Sequence, residues 1–169
     1  MPKATSELQG LIDEAQAEVD RTSKYMKDSL SALEKDQSQY NELLQQYKIK
    51  EEEGEQALAN ELRDKAKSLM PIIQTIKAQY STAEGKLIKD KARLRKLQDI
   101  AKKPVGTPLP DDEFKRIAMK AAEREARGLL KARGLPTTGV TFQKLVKKIY
   151  PNQYAVLKAG NKAGYYTTE

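Results

Sequence analysis

The stretch Leu30-Ser-Ala-Leu33-Glu-Lys-Asp-Gln37-Ser-Gln-Tyr40-Asn-Glu-Leu-Leu44-Gln-Gln-Tyr47 decides the fold. Its apolar residues recur three and then four positions apart, a spacing that puts them on one stripe of an α-helix and leaves the other sides polar. The ladder extends in both directions. Upstream it runs Leu8, Ile12, Ala15, Val19, Thr22, Met26. Downstream it passes Glu51, Gly54 and Leu58, then resumes in a shifted frame as Leu62, Ala66, Leu69, Ile73, Ile76, Tyr80, Ala83, Leu87, with Leu94, Leu97 and Ala101 to follow. The expected seam is therefore Leu30, Leu33, Tyr40, Leu44, Tyr47, Leu62, Leu69, Ile73, Ile76, Tyr80 and Leu87. The frame shifts are stutters that locally relax a supercoil. Residues 1–103 thus read as a long coiled-coil arm with an oligomerising role, opened by Thr5 or Ser6 as helix cap.

Two positions interrupt the arm. Glu51-Glu52-Glu53-Gly54-Glu55 offers no apolar contact, and Pro71 lacks an amide hydrogen and should kink or end a helix. A tip at Gly54 gives an antiparallel hairpin with near-equal halves. With no tip, a rod of about 150 Å results at 1.5 Å per residue. Charge favours folding back: residues 1–64 hold 8 Lys+Arg against 15 Asp+Glu, whereas residues 65–103 hold 11 against 3. Segments of opposite sign attract when antiparallel.

Pro104-Val-Gly-Thr-Pro-Leu-Pro110 cannot continue a helix and reads as a Pro-rich linker over 104–110. Residues 111–169 then read as a small basic helical docking module with a short tail. Asp111 or Asp112 caps a helix reaching about Arg133, a turn covers Gly134–Gly139, and a shorter amphipathic segment is broken by Pro151-Asn152. The expected class is all-α: a coiled-coil arm, hairpin or rod, plus a small basic helical C-terminal module.

The chain of 169 residues carries a net charge of +7, with 33% charged and 38% hydrophobic residues. It has no cysteine and no histidine. Thiolate or imidazole metal sites and every Ser-His or Cys-His nucleophile are thereby excluded. Gly160-Asn-Lys-Ala-Gly164 lacks the spacing of a phosphate loop. The Glu51–Glu55 carboxylates are nearly consecutive, so they spread around a helix and do not converge on a metal. No catalytic, cofactor-binding or metal residue is assigned, and no small-molecule substrate is expected. No apolar run is long enough for a membrane span, and the opening Met-Pro-Lys-Ala-Thr-Ser does not resemble a secretory signal. Cytoplasm or the interior of a virus particle is the expected location.

The residues singled out for function are cationic and aromatic. Arg116, Lys120, Arg124, Arg127 and Lys131 recur every three or four positions, and Lys144, Lys147 and Lys148 follow among Phe142 and Tyr150. A second row, Lys86, Lys89, Arg93, Lys96 and Lys103, closes the arm and is placed either to pair with its acidic first half or to add to the basic end. Such rows suit an anionic partner, nucleic acid or an acidic protein surface, although a solvated helix face has the same composition. Tyr165 and Tyr166 sit in a polar tail and are candidates for docking onto a neighbour. In organisation, though in no motif, the chain resembles viral scaffolding and virion-internal proteins. The expectation is a non-enzymatic structural protein that forms homo-oligomers through the arm and joins a larger protein assembly through the basic module. A nucleic-acid-binding protein dimerised by its coiled coil is the alternative, and a helical adaptor or chaperone the third reading.

Overall fold

A computed structural model describes residues 4–167. Residues 1–3, part of the opening read above for a signal, and the last two residues of the tail lie outside the described residues. The fold is all-α. Its four helices are α1 (Ser6–Glu52), α2 (Gln56–Ala101), α3 (Asp111–Ala132) and α4 (Val140–Lys162), with no strand among the described residues.

The chain reverses at Glu53-Gly54-Glu55. Gly54 adopts φ +76°, a left-handed conformation that side chains with a Cβ disfavour. Its amide donates to the Glu51 carbonyl and that of Glu55 to the Lys50 carbonyl, the pair of bonds that closes a helix on a glycine. Pro71 neither ends α2 nor forms its tip. It lies exposed, so the Lys67 carbonyl that loses its donor faces water, and the apolar face continues past it. Pro151 likewise stays inside α4, against the break expected there. Both prolines cost helix stability, about 3 kcal/mol each by propensity, which the packed faces of long helices outweigh.

Packing divides the chain into two units: Met1–Glu14 with Arg93–Glu169, and Ala15–Ala92. The second unit is an antiparallel helical hairpin. Across it, Thr22 Oγ1 donates to the Asp90 carboxylate at 2.9 Å and Lys86 Nζ donates to Glu18 at 2.9 Å. Its buried side chains are mostly small: Ala15, Val19 and Thr22 on α1, Ala59, Ala66, Ile73 and Ala83 on α2.

The first unit gathers both ends of the hairpin with α3 and α4. Thr5 caps α1, accepting a bond from the Leu8 amide, and its backbone pairs with Thr167 at 3.1 Å. Leu8, Leu11, Leu94, Leu97, Ile100, Leu109 and Phe114 are buried here. Phe114 lies 5.3 Å from the Tyr154 ring and 6.0 Å from that of Tyr166. The alanines Ala122 and Ala126, four residues apart on α3, join Leu130, Phe142 and Val146 in one cluster against α4. Asp111 does not cap α3: Pro110 holds that position, and Asp111 accepts bonds from Tyr154 and Lys115.

Arg93 binds Glu113 through two parallel bonds, Nε to Oε1 at 2.8 Å and Nη2 to Oε2 at 3.0 Å. The Glu113 side chain is only 4% exposed. A carboxylate this buried is tolerated because a guanidinium fork meets both its oxygens. Arg93→Leu or Glu113→Leu alone should therefore destabilise the protein by about 3 kcal/mol. The double Leu variant should recover most of that in urea unfolding, whereas additive losses would show that the pair is not coupled.

The Pro-rich stretch 104–110 does not run extended throughout: it opens with a turn in which the Thr107 amide and hydroxyl both donate to the Pro104 carbonyl, and it is pinned. Asn161 brackets Leu109, accepting from its amide at 3.0 Å and donating to its carbonyl at 3.2 Å. Gly106 and Gly164 approach so closely that a Cβ on Gly164 would stand 2.2 Å from the Gly106 carbonyl carbon, and Gly164 has φ +75°. Gly164→Ala should lower the melting temperature markedly, because it combines left-handed strain of about 1–3 kcal/mol with a backbone clash. Gly128→Ala, at a helical site with open space around it, should raise it slightly. Equal effects at the two sites would contradict the tight approach.

Candidate functional site

Two surfaces carry the residues singled out by sequence, one in each unit. In the hairpin unit the covered row on α2 runs Ala59, Leu62, Ala66, Leu69, Ile73, Ile76, Tyr80, Ala83, Leu87, in the frame expected from the ladder. On α1 the covered row runs Thr22, Met26, Ser29, Leu33, Asp36, Tyr40, Leu43, Tyr47, Lys50. Leu33, Tyr40 and Tyr47 keep their expected places. At the alternate rungs Ser29 stands where Leu30 was expected, while Asp36 and Gln37, and likewise Leu43 and Leu44, are half-buried together. The covered face of α1 is thus broader than a single stripe, and it leaves Leu30 42% exposed.

Of the expected seam residues only Ile73 is buried. Leu33, Tyr40, Leu44, Tyr47, Leu62, Leu69, Ile76, Tyr80 and Leu87 are half-buried. From Ser23 to Leu58 no described side chain is buried at all. The other flank of the hairpin carries exposed Tyr25 and Ile72. There a groove of about 730 Å³ is floored by Thr22, Thr75, Ala78, Thr82 and Ala83 beside Tyr25, with Glu18, Arg21 and Lys86 at its rim. Small residues on two neighbouring helices leave room for a third helix to approach.

In the other unit the predicted cationic stripe splits into two halves with different roles. Lys120 Nζ lies 2.8 Å and Arg116 Nη1 3.6 Å from the Glu14 carboxylate, and Arg116 Nε lies 3.8 Å from Glu113. These two cations serve the packing of α3 on the start of α1. Of the second row, Lys86 meets Glu18 and Asp90, and Arg93 meets Glu113. Arg124 lines a pocket of about 410 Å³ with Gly10, Leu11, Ile117 and Tyr166 and makes no ion pair among the described residues. Arg127 stands 3.8 Å from Glu123 and 5.3 Å above the Phe142 ring. Lys131, Lys144, Lys147 and Lys148 are exposed and form no ion pair among the described residues.

Sequence reasoning passed over Arg133, which is exposed beside them. The signal was present: from Ala126 to Thr168 the chain has no Asp or Glu. The two tail tyrosines also separate. Tyr166 packs on Phe114 within its own chain, and its carbonyl accepts the Thr5 hydroxyl at 2.6 Å. Burial holds its phenol pKa above the usual value. Tyr165 is 72% exposed and is the one of the pair free to meet a neighbour.

No three His, Cys, Asp or Glu side chains converge on a metal-sized site among the described residues, and no helix is long and apolar enough to cross a membrane. No protein-family model, curated protein or solved structure matches the chain.

Glu14 reports on the internal half of the stripe. Partial burial opposes its ionisation, but the Lys120 hydrogen bond and the charges of Lys120, Arg93 and Arg116 together hold its pKa below the ordinary 4.5. Its folded pKa is thus lower than its unfolded one, so the stabilisation is present above about pH 4.5 and is lost as pH falls through the folded value. Thermal unfolding followed from neutral pH downward should show a steeper loss for the natural chain than for Glu14→Gln. Identical profiles would remove Glu14 from the account.

Proposed function

We propose that the protein is a non-enzymatic assembly protein whose helical hairpin self-associates as a coiled coil and whose basic C-terminal module anchors the oligomer to a larger complex. One observation carries this reading. A hairpin of helices of 47 and 46 residues keeps an apolar ladder along its length, yet no side chain between Ser23 and Leu58 is buried. Half-exposed ladders on two helices are completed by further helices, as in four-helix bundles. A second copy of the chain supplies them at no cost in new sequence and with closed symmetry. Leu30 stands exposed on one flank with half-buried Leu44 farther along α1, and the groove beside Tyr25 opens on the other. Cytoplasm or the interior of a virus particle suits such a role.

Light scattering on the purified chain should give a discrete mass greater than that of one chain at micromolar concentration, little changed by moderate salt because the seam is apolar. Leu30→Glu with Leu44→Glu, or Tyr25→Glu with Ile72→Glu, should reduce the mass to that of one chain while circular dichroism retains the helical signal. A natural chain that scatters as one copy at every concentration would overturn the assembly reading in favour of an adaptor acting alone.

A further inference from the structure

We infer that the end of the α3–α4 pair is a binding surface for the phosphate backbone of nucleic acid, formed by Arg127, Lys131, Arg133, Lys144, Lys147 and Lys148. The inference names a partner for the anchoring module proposed above and rests on that reading only for what the binding accomplishes. Its first ground is distribution of charge. Within residues 4–14 and 93–167 there are 17 Lys+Arg against 9 Asp+Glu. These carboxylates all precede Ala126 in the chain: Glu14, Asp111, Glu113 and Glu123 meet Arg93, Lys115, Arg116, Lys120 and, loosely, Arg127, and Glu125 accepts from Gln153. Past that point the chain adds no acid as far as Thr168, and Lys131, Arg133, Lys144, Lys147 and Lys148 form no ion pair among the described residues.

Its second ground is convergence. α3 and α4 are packed neighbours joined by a short turn at 133–139, and the Arg127 guanidinium lies over Phe142 in the first turn of α4. Lys131 and Arg133 lie farther toward the turn on α3, and Lys144, Lys147 and Lys148 follow Phe142 within two turns on α4. Six cations, from the end of α3, its C-cap Arg133 and the first turns of α4, therefore lie toward one end of the pair. α4 starts there with no acid in its first turn and with Gly139 as its cap, which has no side chain to cover the first amides. The positive end of the helix dipole adds to the same field.

The chemistry of the patch selects among anionic partners. A membrane surface calls for Trp, Phe or Leu beside the cations. Phe142 is buried beneath Arg127, whereas Leu129, Leu135 and Val140 are exposed at this end, so binding to vesicles is the measurement that decides against that partner or for it. A carboxylate on a folded protein is best met by a fork held in place, like Arg93 on Glu113, and none of the six is so held. Exposed cations spaced along the surface suit a polyanion with a charge about every 1.7 Å along its axis, which they neutralise with release of counterions.

The test is fluorescence anisotropy of a labelled mixed-sequence duplex DNA titrated with the full chain. Binding should weaken steeply, by roughly 10³-fold or more, between 50 and 200 mM salt. Lys131→Gln, Lys144→Gln, Lys147→Gln and Lys148→Gln combined should weaken it at least roughly ten-fold and flatten the salt slope by about four. Lys24→Gln, Lys27→Gln, Lys35→Gln and Lys48→Gln, an equal charge change in the hairpin, should leave the affinity within a few-fold. Circular dichroism of each variant controls for folding.

No binding at 50 mM salt, or equal losses in the two variants, would overturn the inference. So would binding to phosphatidylserine vesicles without binding to DNA. Light scattering of the same samples separates the readings: loss of DNA binding with the oligomer intact condemns only the surface, and a single-chain mass with salt-sensitive DNA binding condemns only the self-association.

Discussion

Chain reversal at Glu53-Gly54-Glu55 is the constraint on which the other features depend. Because the arms on either side of Gly54 are nearly equal in length, α2 carries the chain back to the level at which α1 began. Only for that reason can Leu8, Leu11, Leu94, Leu97 and Ile100 belong to one core, and only then can Glu14 feel the charge of Arg93. A reversal at Pro71 would have left an unmatched stretch of α1 and no shared floor for α3. The reversal needs one residue with positive φ at the end of a helix, and the glycine sits there among four glutamates with no apolar group to bury.

Electrostatics then divides the basic residues by function. Within the packed unit Lys115 and Arg127 meet acids of their own helix, whereas three cations meet carboxylates at helix junctions: Arg93 with Glu113, and Lys120 and Arg116 with Glu14. These pairs fix how α1, α2 and α3 meet, and burial makes the Arg93–Glu113 fork the most consequential of them. The cations past Ala126 have no such duty. A chain that spends its acids at one end of a helical pair and none at the other has concentrated a field, and a concentrated field serves long-range attraction of a partner more than stability of the fold.

The hairpin shows the complementary economy for apolar groups. Small side chains (Ala59, Ala66, Ala83, Thr22) occupy its covered face, while larger ones (Leu30, Tyr25, Ile72) stand at the flanks. Between these small residues the larger rungs Leu62, Leu69, Ile76 and Tyr80 stay half-exposed, so the pairing of the two helices leaves much apolar surface in water. The remaining driving force lies at the edges, where it favours association.

Much of this was legible in the residues. Spacing of three and four announced long helices, and the charge reversal between residues 1–64 and 65–103 announced antiparallel pairing, because both are properties of local geometry and summed charge. The start of α1 at Thr5 and the turn around Gly134–Gly139 were likewise set by local chemistry. What the residues alone could not decide were outcomes of competition. Pro71 and Pro151 are helix breakers locally, but each lies on an exposed face of a helix whose other side is packed, and tertiary burial outweighs the lost bond. Leu30 and Ser29 are adjacent on α1, and which one faces α2 depends on a rotation of a few tens of degrees that only the partner helix sets. Tyr166 and Tyr165 are chemically identical neighbours, separated in role by the Phe114 ring that one of them meets. Sequence determined the helices and the sign of the charge at each end, and it favoured antiparallel pairing while leaving hairpin and rod both open. The tertiary structure decided which charges and which apolar groups are consumed inside the molecule, because that depends on distances between residues far apart in the chain.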